Sequence, residues 1–415
     1  MLIANPRSTR SAYPAELKSI LNIRSANESG EWLSTWDKIS CSITPLWELP
    51  DAAAALGVSS LRLKDEGFRS PLGSFKALGA PIALMRLILR HWHTHSLNPQ
   101  GLLRGQYAGM LANLTVISAT DGNHGKSLAA AAKDIGCQCV IVLHANVSIE
   151  REDAIAQYGA RIIRIAGDYD ESVEHAAALA AENGWHVVSD TSYDGYETIP
   201  RDVMQGYGVI SGETISQLDS AASPIPLTHV FLQGGVGGMA AGIASYLWEH
   251  YGAARPRFIV VEPQQADCLY QSSIAGHATT ATGSVDSVMA GLACGEASPL
   301  AWKILEQCID HFMTISDDDA IAAMRSLASG TERDPPLVVG ESGAAGFAGF
   351  SVLMQDADLA HAVGLNSESR VLVINTEGAT APTVYRDLVG ESAEVVLARQ
   401  SEWMKVLEHR LANTN

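Results

Sequence analysis

The stretch "TVISATDGNHGKSLAAAAKDIGCQCVIVLHA", Thr115–Ala145, sets the fold. Its two β-branched runs, TVISAT and CVIVLHA, are too short for helices. Short runs of this β-branched kind, set apart by helical stretches, read as strands. Between them, SLAAAAKDIG is rich in helix formers and ends in glycine. A strand, a helix and a second strand at this spacing give parallel strands joined by a crossover helix. The alternation continues through a helix over IEREDAIAQYG, the strand RIIRIA, another helix and the strand HVVSD. It returns with THVFLQ, a glycine loop, the helix AAGIASYLWEHYG and the strand RFIVVEP, and closes near SRVLVINTEG. The chain therefore reads as α/β with two parallel-sheet units. With no internal repeat or low-complexity linker, the boundaries are expected near residues 76 and 200. Residues 1–75 and 200–415 would form a large domain and residues 76–199 a small α/β domain.

The chain has 415 residues, 47% of them hydrophobic, enough for a substantial core. Its formal charge of −18 repels a phosphate backbone and argues against a nucleic-acid partner. The start, MLIANPRSTRSAYP, lacks the apolar stretch of a secretory signal, and no later segment offers the roughly 18 apolar residues of a membrane span. A soluble, cytoplasmic protein is expected. The cysteines at 41, 137, 139, 268, 294 and 308 lack the C-x-x-C spacing of a zinc site, so no metal is expected. They read as buried thiols, with a regulatory pair Cys268–Cys294 as the sharper alternative.

Two glycine-bearing loops follow strands and open helices. In "LQGGVGGMAAG", Leu232–Gly242, glycines let the backbone approach an anion that free N–H groups and the helix dipole would hold. Glycines present only for packing would give the same string. So would a dinucleotide site: Gly235, Gly237 and Ala240 fit G-x-G-x-x-G/A, with Glu262 placed for a ribose. The second loop, "SATDGNHGKS", Ser118–Ser127, favours a compact phosphorylated cofactor. So does a lysine in "LGSFKALGA", Leu72–Ala80. Lys76 among Phe75, Ala77, Leu78 and Gly79 suits a buried amine able to form a Schiff base, although a lysine at a helix start is often a solvated charge. Pyridoxal phosphate supplies both the aldehyde and the phosphate.

S-F-K, DGNHG and GGVGG together resemble the tryptophan synthase beta-like pyridoxal-phosphate enzymes of fold type II. The closer likeness is to the 2,3-diaminopropionate ammonia-lyases. It rests on ATDGNHGKSLAAAA, VVSDTSYDGYETIPRDVMQGY, MAGLACGE, GESGAAG and INTEG, and spans about Thr44 to Gly390. The resemblance implies two parallel-sheet three-layer domains, the larger binding the cofactor, and a homodimer. It makes Lys76 the imine-forming lysine and places Asn123 at the cofactor's phenolic oxygen. Gly234, Gly235, Val236, Gly237 and Gly238 would cradle its phosphate, and Asp121 and Asp190 would face the substrate. Read locally, Asp121 could equally cap a helix, Asp190 could cap a loop, and His124 is packing.

Three departures stand out: Asn375-Thr376 where a Ser-Thr pair or a lone hydroxyl is expected at the pyridine nitrogen, Lys126 in place of arginine, and RSPLGSFK before the lysine. Either Asn375 or Thr376 could be the partner of that nitrogen. The implied reaction is α,β-elimination of 2,3-diaminopropionate to pyruvate and two ammonia, with Lys76 or Asp121 removing the Cα proton. The competing readings are a serine, threonine or 3-hydroxyaspartate dehydratase-like lyase on the same fold, and a catalytically silent cofactor- or nucleotide-binding regulator.

Overall fold

The computed structural model describes the chain except residues 41, 121, 146, 168, 221–225 and 413–415. Eleven strands are arranged in two sheets: β1 (Leu2–Ala4), β2 (Leu46–Glu48), β3 (Ser60–Asp65), β4 (Thr115–Ala119), β5 (Gln138–Leu143), β6 (Arg161–Arg164), β7 (His186–Val187), β8 (His229–Gln233), β9 (Arg257–Pro263), β10 (His311–Ile315) and β11 (Arg370–Asn375). The larger sheet has the order β1-β10-β9-β8-β11-β3-β2 and the smaller β6-β5-β4-β7. The small sheet is wholly parallel. In the large one, β10 to β3 are parallel, while β1 and β2 add antiparallel edges that the sequence pattern did not announce.

The central strands are fully buried, as helices on both faces require. β3 is the instructive exception, since its sequence SLRLKD carries three ionisable side chains, Arg62, Lys64 and Asp65, into a buried strand. Lys64 is sealed from solvent, its Nζ donating to Thr44 O (2.8 Å), Glu213 Oε2 (3.0 Å) and Gln217 Oε1 (2.9 Å). Arg69 bonds Glu66 and Glu213 in the same cluster. A buried charge is tolerated only when matched in this way.

Among the described residues no helix is long and apolar enough to cross a membrane. The five described cysteines are thiols, Cys268 and Cys294 among them, and Cys41 lies outside the described residues.

Candidate active site

The C-terminal ends of the parallel strands in an open sheet form a natural crevice. Here the ends of β8, β11 and β4 open onto a cavity of about 660 Å³, lined among others by Lys76, Asn123, Asp190, Gly234, Gly235, Val236, Gly238, Thr376 and Glu377.

Lys76 sits on a single 3₁₀ turn, Phe75–Leu78, before the helix Ala80–His91. Backbone bonds from Phe75 N to Thr376 O (3.0 Å) and from Gly378 N to Gly73 O (2.9 Å) tie this turn to the end of β11. From behind, the long helix Thr198–Asp219 presses on it at Gly206, where a Cβ would lie 1.9 Å from the Leu78 carbonyl oxygen. Only glycine fits there.

The Lys76 amine pairs with the Asp190 carboxylate, which follows β7. Burial alone would raise the Asp190 pKa, but the Lys76 ammonium and then His124 hold it well below the usual carboxylate range. His124 Nδ1 is 3.8 Å from Asp190, and its Nε2 meets Val188 O at 2.8 Å. This buried imidazole supports Asp190 from behind. Asp121 lies outside the described residues.

The glycine loop joins β8 to the helix Gly238–Tyr251, whose first turns are apolar and buried. Gly235 (φ 64°) and Gly237 (φ 95°) take the left-handed conformation that glycine adopts without penalty. Gly237 turns its Cα away from the cavity: a Cβ would come 2.7 Å from Leu305 Cδ1 and 3.3 Å from Ala301 Cβ. Its part is to shape the loop, and Gly237 is not among the lining residues. The Gly237→Asp variant should therefore bind pyridoxal phosphate about tenfold more weakly or worse, by forcing the loop off the helix Pro299–Cys308. Cofactor bound per chain measures this, and unchanged occupancy would move the phosphate elsewhere.

Glu262, the candidate ribose carboxylate, is consumed otherwise. It accepts Leu269 N (2.9 Å) and Tyr270 N (2.7 Å) at the start of the helix Cys268–Ala275. Burial pushes it up to about 8, and those two N–H groups pull the other way. A helix cap sealed from solvent cannot reach a ribose, which removes the main support for a dinucleotide.

At the end of β11 the two candidates part. Asn375 Nδ2 donates to Asp65 Oδ1 (2.7 Å) and Val338 O (3.2 Å), away from the cavity, whereas Thr376 lines it. Asp65 is itself buried and pushed up to about 6, with Trp47 and then Asn375 donating to it. The asparagine is thus fixed by a neighbour on β3, and the hydroxyl is left for the site.

Sequence reasoning gave no role to Glu377, Ser342 or Arg151, all of which line the cavity. Glu377 accepts from Asn123 Nδ2 (2.5 Å), Thr380 Oγ1 (3.2 Å) and Ser342 N (3.2 Å), so it orients the Asn123 amide. Glu341 beside it is pushed up to about 7, first by burial and then by the Glu377 charge. The available signal was a carboxylate just past a parallel strand, within the INTEG motif. Val285, also in the lining, has φ 61°, a conformation costly for a β-branched residue.

An amine, a glycine loop at a helix start, a side-chain amide and a hydroxyl line this one cavity. That donor set and volume fit pyridoxal phosphate.

Comparison with known proteins points the same way. The family described as pyridoxal-phosphate dependent enzymes matches residues 40–377. Diaminopropionate ammonia-lyase of Escherichia coli is 37% identical over 358 residues, 85% of this chain and 88% of that protein. The Salmonella typhimurium enzyme of the same name is 36% identical over 386 residues, 90% and 95% of the two chains. The crystal structure of the Escherichia coli enzyme with an aminoacrylate-PLP azomethine reaction intermediate superposes with a TM-score of 0.84 at 34% identity, covering 94% of this chain and 96% of that one. Threonine deaminase isoform 2 of Solanum lycopersicum, at 21% identity and a TM-score of 0.69, shares the fold. The chain belongs to the pyridoxal-phosphate-dependent enzymes of fold type II, in the diaminopropionate ammonia-lyase family.

Proposed function

We propose that the chain catalyses the pyridoxal-phosphate-dependent α,β-elimination of 2,3-diaminopropionate to pyruvate and two ammonia. The observation that carries this reading is the Lys76–Asp190 pair facing the glycine loop across one cavity. The bound cofactor supplies an aldehyde for the substrate amine and a ring that accepts the charge left at Cα when its proton departs.

The chain's own groups do the rest. The N–H groups of Gly234–Gly238 and the helix behind them hold the phosphate. Asn123, oriented by Glu377, donates to the phenolic oxygen. Thr376 offers a neutral hydroxyl near the pyridine nitrogen, with Asn375 bracing it from the Asp65 side. Lys76 would hold the cofactor through its aldehyde and would take the Cα proton of the L isomer, and Asp121, assigned by the family likeness, would take that of the D isomer. Asp190 keeps the Lys76 amine in place and, with Asp121, gives the site a negative field that prefers a β-ammonium to a β-hydroxyl. The β-nitrogen departs as ammonia already carrying its proton, and the released enamine hydrolyses in water to pyruvate and the second ammonia.

The proposal includes a homodimer, drawn from the family likeness, and a cytoplasmic location. A dehydratase role is not favoured. The deciding measurement is kcat/KM for 2,3-diaminopropionate against serine, threonine and 3-hydroxyaspartate. Diaminopropionate should lead, and a hydroxyamino acid turned over faster would overturn the assignment.

A further inference from the structure

The end of the large sheet opposite the active site, where its parallel strands begin, carries a second concavity of about 460 Å³, lined among others by Arg10, Arg255, Arg257, Arg370 and Glu368. We infer that this groove is a binding site for a small phosphate-bearing anion, separate from the cofactor's phosphate loop.

The argument begins with charge. A chain of formal charge −18 places four guanidinium groups in one groove against one lining carboxylate. Arg255 is accounted for by the fold: it is buried, its Nη1 lies 2.7 Å from Asp310 Oδ2, and it packs over Trp248 and Phe258. That pairing also takes up the nearest extra carboxylate, which Arg10 Nη2 reaches only at 3.9 Å.

Arg10 and Arg370 are held by carbonyl oxygens. Arg10 Nη1 donates to Arg255 O (2.7 Å), and Arg370 donates through Nε to Pro226 O (2.5 Å) and through Nη1 to Glu368 O (3.3 Å). A carbonyl fixes the direction of a guanidinium without cancelling its charge. Arg257 lies along Gly364, where a Cβ would sit 3.3 Å from its Nε, so the missing side chain leaves it room. No ion pair among the described residues includes Arg257.

The crowding is felt by its neighbours. Arg10 is held below the usual arginine range by burial and by Arg255 and Arg257, with Asp310 opposing. His229 is pushed down to about 4, first by burial and also by Arg257, and His311 is lowered for the same two reasons. Two or three prearranged, uncompensated guanidinium groups in a concave surface match the bidentate geometry of phosphate, and an anion there relieves their mutual repulsion.

The groove is built on the first residues of β8, β9 and β11, whereas the catalytic cavity is reached by Gln233 at the last position of β8 and by Thr376 just past β11, so its ligand need not compete with substrate or cofactor.

The test is calorimetric titration of the holoenzyme with inorganic pyrophosphate as the probe, in wild type, in Arg257→Ser/Arg370→Ser and in Arg10→Ser, with cofactor absorbance followed in parallel. Wild type should show one saturable site per chain, weakened by added salt. The double variant should lose about tenfold or more in affinity, with its cofactor content unchanged. Arg10→Ser, which removes one exposed cation, should show an intermediate loss. Absence of saturable heat in wild type would overturn the assignment. So would equal affinity in the double variant, or binding that tracks displacement of the cofactor, because either would seat the anion elsewhere.

Discussion

Lys76→Ala is expected to lower kcat/KM for 2,3-diaminopropionate by about 10⁴-fold or more while leaving a protein that still retains pyridoxal phosphate. Two tasks meet in this one amine, covalent attachment and removal of the Cα proton, and a general base alone contributes about 10²–10⁴-fold. Retention of the cofactor should survive because the phosphate is held elsewhere, by the loop between β8 and the helix Gly238–Tyr251. The absorbance band of lysine-bound pyridoxal should vanish and the free-aldehyde band remain. Near-normal turnover in this variant would defeat the assignment of Lys76, and complete loss of the cofactor would show that the loop does not anchor it alone.

The second large effect separates the two carboxylates. Asp121→Asn keeps the shape and removes the basic oxygen, so kcat/KM for the D isomer should fall by about 10²–10⁴-fold, with the L isomer much less affected. Asp190→Asn should behave differently, because its carboxylate is the partner of the Lys76 amine and is held ionised by it. Without that partner the amine loses both its position and the charge that stabilises its protonated form, so both isomers should slow by similar factors. Measured for the two isomers in both variants, the ratio of D to L losses is the readout. Equal losses in Asp121→Asn would mean a shared task such as holding the β-ammonium, and a wild type inert towards the D isomer would end the two-base scheme.

How much of this was legible in the sequence depended on how each residue's burial was achieved. β4, β5, β8, β9 and β11 were readable because strands buried on both faces have little choice but β-branched and aliphatic side chains. β3 was not, since Lys64 and Arg62 look like surface charges until Glu213 and Glu48 are found opposite them, one of them far along the chain. β1 and β2, three residues each, carry no period to detect. In the site, the lysine, the DGNHG loop and the glycine loop were legible because their chemistry needs a local arrangement of glycine, amide and amine. Glu377 was not, because its role lies in a bond to Asn123, 254 residues away in sequence. The bond from Asn375 to Asp65, a partner on another strand, was equally invisible.

The close approach of Gly206 to the turn bearing Lys76 has a consequence for how this enzyme can change over time. Substitutions around the lysine itself can be screened one at a time by their effect on chemistry. A side chain at 206, however, must displace the Leu78 carbonyl before any new contact forms, and the turn it displaces is the one carrying the reactive amine. Drift along the helix Thr198–Asp219 is therefore coupled to activity although much of that helix lies outside the cavity. A lineage seeking new substrates has an easier route through the cavity wall, at residues such as Ser342, Glu377 and Arg151, than through the packing that seats the lysine.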